Sequence, residues 1–146
     1  MKTVQQFRKY NVDTPTWDQL FTAYDRVLKL DMFIQCSYPG FLVAKPESVW
    51  DFQLEKLTPV INEFGVNEAH MYISLVAGHV GYKPHDDVVD VWFWQCQGVS
   101  RWAVGGFQYT MNPGDLIFIP AGTEHGVESL SPRAGISMSQ VASVIK

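Results

Sequence analysis

The sequence predicts an all-β sandwich or barrel with one or two helices on its N-terminal side, and three observations predict it. Downstream of Gly65 the chain breaks into short apolar runs, 69–77, 88–95, 101–104, 107–111, 116–119, 127–129 and 135–144, divided by Gly, Pro and Asp. Such spacing argues for a sandwich or barrel over alternating βαβ units. Upstream, Trp17, Leu20, Phe21, Tyr24, Val27 and Leu28 recur at helical spacing as one stripe. The composition, 47% hydrophobic and 14% aromatic in 146 residues, is enough to bury a core in one domain spanning 1–146.

Taken in order, residues 1–13 are polar and aperiodic and read as an edge strand or an arm. Thr14-Pro15 then opens a helix, with Thr14 as the cap, Pro15 in the first turn, and Thr16 with Gln19 adding a capping-box spacing. Residues 32–36 read as a strand closed by the turn Tyr38-Pro39-Gly40, and 41–44 as another. Ser48 can cap a helix carrying Val49, Trp50, Phe52 and Leu54. Thr58-Pro59 starts a fresh helix that ends before Gly65. The helical part therefore covers about 14–65 and the strand-rich core about 66–144. No internal repeat, low-complexity segment or linker interrupts it.

Charge and cysteine usage narrow the function class. The net charge is -4, charged residues make up 18%, and the eleven Lys and Arg are scattered, so no nucleic-acid-binding face is expected. Cys36 and Cys96 stand in no CxxC spacing, which favours a reducing compartment over a disulfide framework or zinc knuckle. The N-terminus has no apolar signal-like core, and no apolar run approaches the roughly 18 residues of a membrane span. The expectation is a cytoplasmic protein without a membrane partner, and an aromatic-rich barrel with few charges suits a homodimer.

The chemistry concentrates at 83–90, Lys-Pro-His-Asp-Asp-Val-Val-Asp, just ahead of the apolar run Val91 to Trp94. If a strand starts at Val88, His85 and Asp87 lie two apart at its mouth and point the same way. The best third partner is His125, in a Pro-Gly loop after another apolar strand. Two imidazoles and one carboxylate on one face of a metal is the arrangement of non-haem Fe(II) oxygenases. Asp86 and Asp90 are rival carboxylates. The expectation is that Asp86 is a solvated turn residue, and that Asp90 makes a structural hydrogen bond to a turn or to Arg101. His70 and His79 read as surface or loop histidines, and Glu124 as exposed loop. Trp92, Trp94, Trp102, Phe107 and Tyr109 read as barrel filling with some share in the substrate mouth. Tyr72 and Tyr82 read as packed tyrosines able to hydrogen-bond a cosubstrate.

A resemblance follows from these residues. Gly114, five residues, Pro120, one residue, Gly122, two residues, His125, followed by Ser129, resembles the second motif of the cupin superfamily. Met71 through Gly81, His85-Asp86-Asp87, Asp90-Val91-Trp92-Phe93, Gln97-Gly98 and Arg101-Trp102 resemble the His-x-Asp core of the JmjC-type cupin oxygenases, and within these the bacterial ribosomal-protein hydroxylases. The resemblance covers 70–141, about half the chain. It implies a double-stranded β-helix, the cupin jelly roll, with His85, Asp87 and His125 binding Fe(II). It further implies 2-oxoglutarate as cosubstrate, used with O2 to hydroxylate a carbon of a protein or small-molecule substrate.

The sequence departs from the family at Ser100, where many members carry a Lys or Arg that pairs with the distal carboxylate of 2-oxoglutarate. Arg101 is adjacent, but a one-residue shift on a strand points a side chain to the opposite face. Arg133, in Arg133-Ala-Gly-Ile-Ser137, is similar to the Arg-x-Ala-Ile-Thr segment of the prolyl-hydroxylase branch, which implies Arg133 as the replacement anchor. Two other readings stay open: a cupin that binds a metal or small ligand without catalysis, and a metal-dependent cupin enzyme that needs no 2-oxo acid. Ser100 favours these; Arg133 favours the oxygenase.

Overall fold

The computed structural model describes residues 2–30, 33–37, 40–78 and 84–141, with the side chains of 33–37 outside that description. Met32, the Tyr38-Pro39 turn, His79, Tyr82, Lys83 and the end of the last expected strand lie outside the described residues. Among those described, a seven-stranded and a three-stranded antiparallel sheet form the jelly roll. The large sheet is ordered β1 (Gln5–Phe7), β8 (Leu116–Ile119), β5 (Val91–Gln97), β10 (Arg133–Ser139), β4 (Glu68–Ser74), β3 (Phe41–Lys45), β2 (Phe33–Ser37). The small one is ordered β7 (Phe107–Met111), β6 (Ser100–Val104), β9 (His125–Ser129).

The first 64 residues supply both helices and three edge-side strands. Helix α1 (Trp17–Lys29) starts two residues later than Thr14-Pro15 suggests. Thr16 is the cap, its hydroxyl accepting from the Gln19 amide at 3.1 Å while Gln19 Oε1 accepts from the Thr16 amide at 2.9 Å. This reciprocal box satisfies two otherwise orphaned donors and is worth about 1 kcal/mol. Pro15 therefore precedes the cap. The buried face is Leu20, Ala23 and Val27, whereas Phe21 and Leu28 are exposed. Bulk alone pulls the expected stripe off the true one, because Ala23 carries little hydrophobic signal. Ser48 caps a single 3₁₀ turn, Val49–Phe52, in place of the expected helix; the αL conformation of Gln53 stops it. Helix α2 (Thr58–Phe64) ends at Gly65 as the sequence predicts.

Two apolar layers flank the large sheet, and strand alternation assigns each side chain to one of them. Ala69, Met71 and Ile73 of β4, Trp94 and Cys96 of β5, and Ala134, Ile136 and Met138 of β10 pack with Leu20, Val27, Phe52 and Leu57 beneath the helices. Trp92 packs at the margin of the same layer. Trp92 and Trp94 are thus not barrel filling: they share the phase of Asp90, opposite to Val91 and Phe93. Between the sheets lie Phe93, Ile117 and Ile119 from the large one with Trp102, Val104 and Met111 from the small one, Tyr109 packing alongside. Phe107, also expected inside, is 71% exposed at the start of β7.

Phe93 has its room because residue 135 lacks a side chain. A Cβ on Gly135 would sit 2.1 Å from the Phe93 ring tip, so the buried ring, 1% exposed, would have to move. Gly135→Ala should therefore lower stability by about 1–3 kcal/mol, read as a drop in the urea midpoint. Gly135→Ala combined with Phe93→Leu should recover part of it. An unchanged midpoint in the single variant would contradict this packing.

Candidate metal centre

His85 and His125 meet through their backbones before their side chains do. The His85 amide donates to the His125 carbonyl at 3.0 Å and the His125 amide to the His85 carbonyl at 2.8 Å, an isolated antiparallel bridge that sets the ring centroids 4.6 Å apart. Two more bonds join the same segments. The Gly122 amide donates to the Asp87 carbonyl at 2.9 Å, and the Ala121 amide to Asp90 Oδ1 at 2.8 Å. Asp87 is delivered between the two rings, with Oδ1 3.7 Å from His85 Nε2 and Oδ2 3.2 Å from His125 Nε2. His85 and Asp87 converge as expected, but from a loop: β5 begins only at Val91, and Val88 is 95% exposed.

The donor set fits a divalent metal. One ligand atom from each of His85, Asp87 and His125 lies within 4.8 Å of the other two. His125 Nδ1 is 3.0 Å from the Thr123 carbonyl; a carbonyl only accepts, so Nδ1 carries the proton and Nε2 is left to ligate. Electron-rich donors facing one another repel, and a cation among them relieves that repulsion. His125 is buried while His85 and Asp87 are partly exposed, so the centre is backed by protein on one side and open on the other.

Asp90 is structural and, as expected, bonds to a turn, through the Ala121 amide; Arg101 is not its partner. Besides the Ala121 amide it accepts from Lys2, while Arg101 pairs with Glu128 at 3.0 Å. The Lys2 hydrogen bond, followed by the Ala121 amide, lowers the Asp90 pKa. Asp90 thus ties the N-terminal arm to the loop that carries His125. Nothing near Lys2 in sequence signals this link, which joins residues 88 positions apart.

A cavity of about 170 Å³ opens in front of the three donors. Its far wall is the inward face of β4 and β10, where Glu68 pairs with Ser139, His70 with Ser137 and Tyr72 with Gly135. His70 was expected at the surface or in a loop. It instead lines this wall, its Nδ1 2.9 Å from the Tyr72 hydroxyl, and burial, then Lys45, lowers its pKa. It stays outside the metal-ligand group. Alternation from the buried Met71 places His70 inward, and that was the available signal. Glu124 is exposed.

Arg133 lines the same cavity and is 1% exposed. Among the described residues its Nε has no hydrogen-bond partner, and neither has the buried Oγ of Ser74, its neighbour across the strands. Burial lowers the guanidinium pKa to about 10, with Tyr72 offsetting part of the fall. Gly98 seats the Arg133 backbone: its φ is +69°, and a Cβ there would lie 1.9 Å from the Pro132 carbonyl oxygen and 2.7 Å from the Arg133 Cα. Ser100 is fully buried and is not among the residues lining the cavity.

Comparison with known proteins agrees with the fold. A cupin-domain family model matches residues 71–136. Over 57 residues, 39% of this chain and 20% of the other, the sequence is 37% identical to 3-hydroxyanthranilate 3,4-dioxygenase of Mus musculus. The ribosomal oxygenase YcfD of Escherichia coli superposes with a TM-score of 0.72 at 18% identity, over 98% of this chain and 49% of that one. YcfD has also been solved in complex with cobalt and 2-oxoglutarate. KdgF from Halomonas sp. superposes with a TM-score of 0.53 at 19% identity, over 77% of this chain and 90% of that one. The fold is the cupin jelly roll, and the chain spans about half the length of the ribosomal oxygenase structures it matches. No helix among the described residues is long and apolar enough to cross a membrane.

Substituting Ala for His85, Asp87 or His125 should abolish saturable Co(II) uptake measured by visible absorption; retained uptake in His125→Ala would rule the centre out. Asp90→Ala should weaken Co(II) by roughly 10-fold by loosening the loop. Because the Asp90 pKa is lowered on folding, the stability it adds is present above its unfolded value and is lost as pH falls through the folded one. Acid unfolding of Asp90→Asn should accordingly be less steep than that of the wild type across this range.

Proposed function

We propose that this chain is a Fe(II)- and 2-oxoglutarate-dependent dioxygenase that hydroxylates a protein or small-molecule substrate. The observation that carries the reading is one cavity shared by a candidate three-donor metal centre and a buried guanidinium whose Nε has no partner among the described residues. His85, Asp87 and His125 would hold the metal, and bound Fe(II) would supply oxygen activation. The complex of YcfD with cobalt and 2-oxoglutarate supports the same pairing of metal and oxo acid in this fold.

The chain's own residues do the binding and shielding. Arg133 anchors the distal carboxylate of the oxo acid, where a planar fork can donate two parallel bonds in a site shielded from water. The Tyr72 hydroxyl stands on the same wall. Phe93, Trp102, Val91 and Val127 close the cavity with apolar surface, which limits water around the reacting groups. A second reading, a metal-dependent cupin dioxygenase that needs no oxo acid, draws on the 37% identity to 3-hydroxyanthranilate 3,4-dioxygenase and on Ser100 standing in place of a cation.

The two readings separate on anaerobic addition of 2-oxoglutarate to the Fe(II)-loaded protein. The first expects a weak visible charge-transfer band, absent in His85→Ala and Asp87→Ala; metal uptake without a band supports the second. Arg133 adds a stability test. A buried cation without a counter-charge is unfavourable, so Arg133→Met should leave the ligand-free protein as stable as the wild type or more so. It should also abolish the rise in melting temperature that 2-oxoglutarate gives the wild type, worth about 2.7 kcal/mol at a hundred times Kd. The folded guanidinium pKa is below its unfolded value, so ligand-free stability should rise with pH above about 10. An equal thermal shift in wild type and Arg133→Met would eliminate Arg133 as the anchor.

A further inference from the structure

Ser100 stands where the resemblance led us to expect a cation, and its surroundings give it another task. It belongs to a buried chain of hydrogen bonds in which each direction is forced. Gln95 Nε2 donates to the carbonyls of Gln97 at 3.1 Å and Gly98 at 2.9 Å. Carbonyls only accept, so the amide orientation is settled and Oε1 must face Ser100. The Ser100 hydroxyl donates to that oxygen at 2.8 Å, which turns its lone pairs toward Trp102. The indole Nε1, a donor only, gives its proton to Ser100 Oγ at 3.1 Å. Gln95 and Ser100 are fully buried and Trp102 is 5% exposed, so no water competes for these bonds.

The far end of the chain is the metal centre. Trp102 pairs across the strands with Val127, which makes His125 its diagonal neighbour on the inward face. The indole and imidazole lie 6.1 Å apart and 26° from parallel, and the Phe93 ring also packs on the indole at 4.6 Å. The Thr123 carbonyl fixes one edge of the His125 ring; Trp102 and His85 are the aromatic rings beside it, the His85 centroid at 4.6 Å.

We propose that Ser100, oriented by Gln95, is a positioning residue for the metal centre, acting through Trp102 to set the direction of His125 Nε2. The inference rests on the metal-centre reading and extends it to Ser100 and Gln95, neither of which lines the cavity. It also gives a reason for the absence of a cation at position 100: a Lys or Arg there would remove the hydroxyl that accepts from the indole and donates to Gln95.

The test is a double-mutant cycle on the full chain with Co(II) as probe. Ser100→Ala deletes the bond from one side, and Trp102→Phe from the other while keeping a ring against His125. Each should weaken Co(II) binding by roughly 10-fold and shift the visible d–d bands, and the double variant should lose little more than either single one, because both remove the same link. Thermal unfolding of the metal-free proteins, measured alongside, records the stability cost separately. If Ser100→Ala fails to fold, Trp102→Phe carries the same two expectations. Unchanged Co(II) affinity and bands in variants that are merely less stable would overturn the proposal, as would strictly additive losses in the cycle. Wild-type protein that takes up no Co(II) would instead sink the metal centre itself, and this inference with it.

Discussion

The pair of backbone hydrogen bonds between His85 and His125 is the constraint on which the site depends. A side chain reaches a few ångströms from its Cα, so three ligands can share a metal only if their backbones are first brought together. Here one loop arrives before β5 and the other before β9, from opposite sheets. The bridge, the bond from Gly122 to Asp87 and that from Ala121 to Asp90 hold the two loops as a unit. Once they are joined, Asp87 has little choice but to lie between the imidazoles. The exposed Val88 then becomes intelligible: the segment from His85 to Asp90 is occupied with the other loop and cannot join the sheet until Val91.

The large sheet separates stability from chemistry by its pleat. On β4 and β10 one phase carries Met71, Ile73, Ile136 and Met138 into the layer beneath the helices. The other carries His70, Tyr72, Arg133 and Ser137 into the cavity. Polar groups there bond to one another, as His70 does to Tyr72, while the Arg133 Nε has no partner among the described residues. An unsatisfied buried donor costs about 1–3 kcal/mol, and a fold that keeps one facing a cavity is suited to an anion that will satisfy it.

Much of this was legible in the sequence because local rules suffice for it. The run after Gly65 predicted β8 at 116–119 and β7 at 107–111 to the residue, since short strands between Gly and Pro turns need only neighbours for their definition. Gly65 ended its helix for the same reason. The three candidate metal donors and Arg133 were picked out by spacing and family resemblance, and they face one cavity. Errors arose where two local signals competed or where bulk misled. Thr16 displaced Thr14 as the cap, Ala23 rather than Phe21 faced the core, and Phe107 stayed outside.

What the residues alone could not decide was partnership across distance. Asp90 had to be structural, because a carboxylate in an apolar run needs a donor, but that the donors are Lys2 and Ala121 rather than Arg101 follows only from how the arm and the loop meet. Ser100 read as a lost cation; only the packed barrel shows it bonded to Gln95 and Trp102. Composition, turn chemistry and alternation act over a few residues, and these the chain specifies by itself. Hydrogen bonds between side chains brought together by sheet closure depend on register and on which loop crosses which, and those exist only in the folded protein.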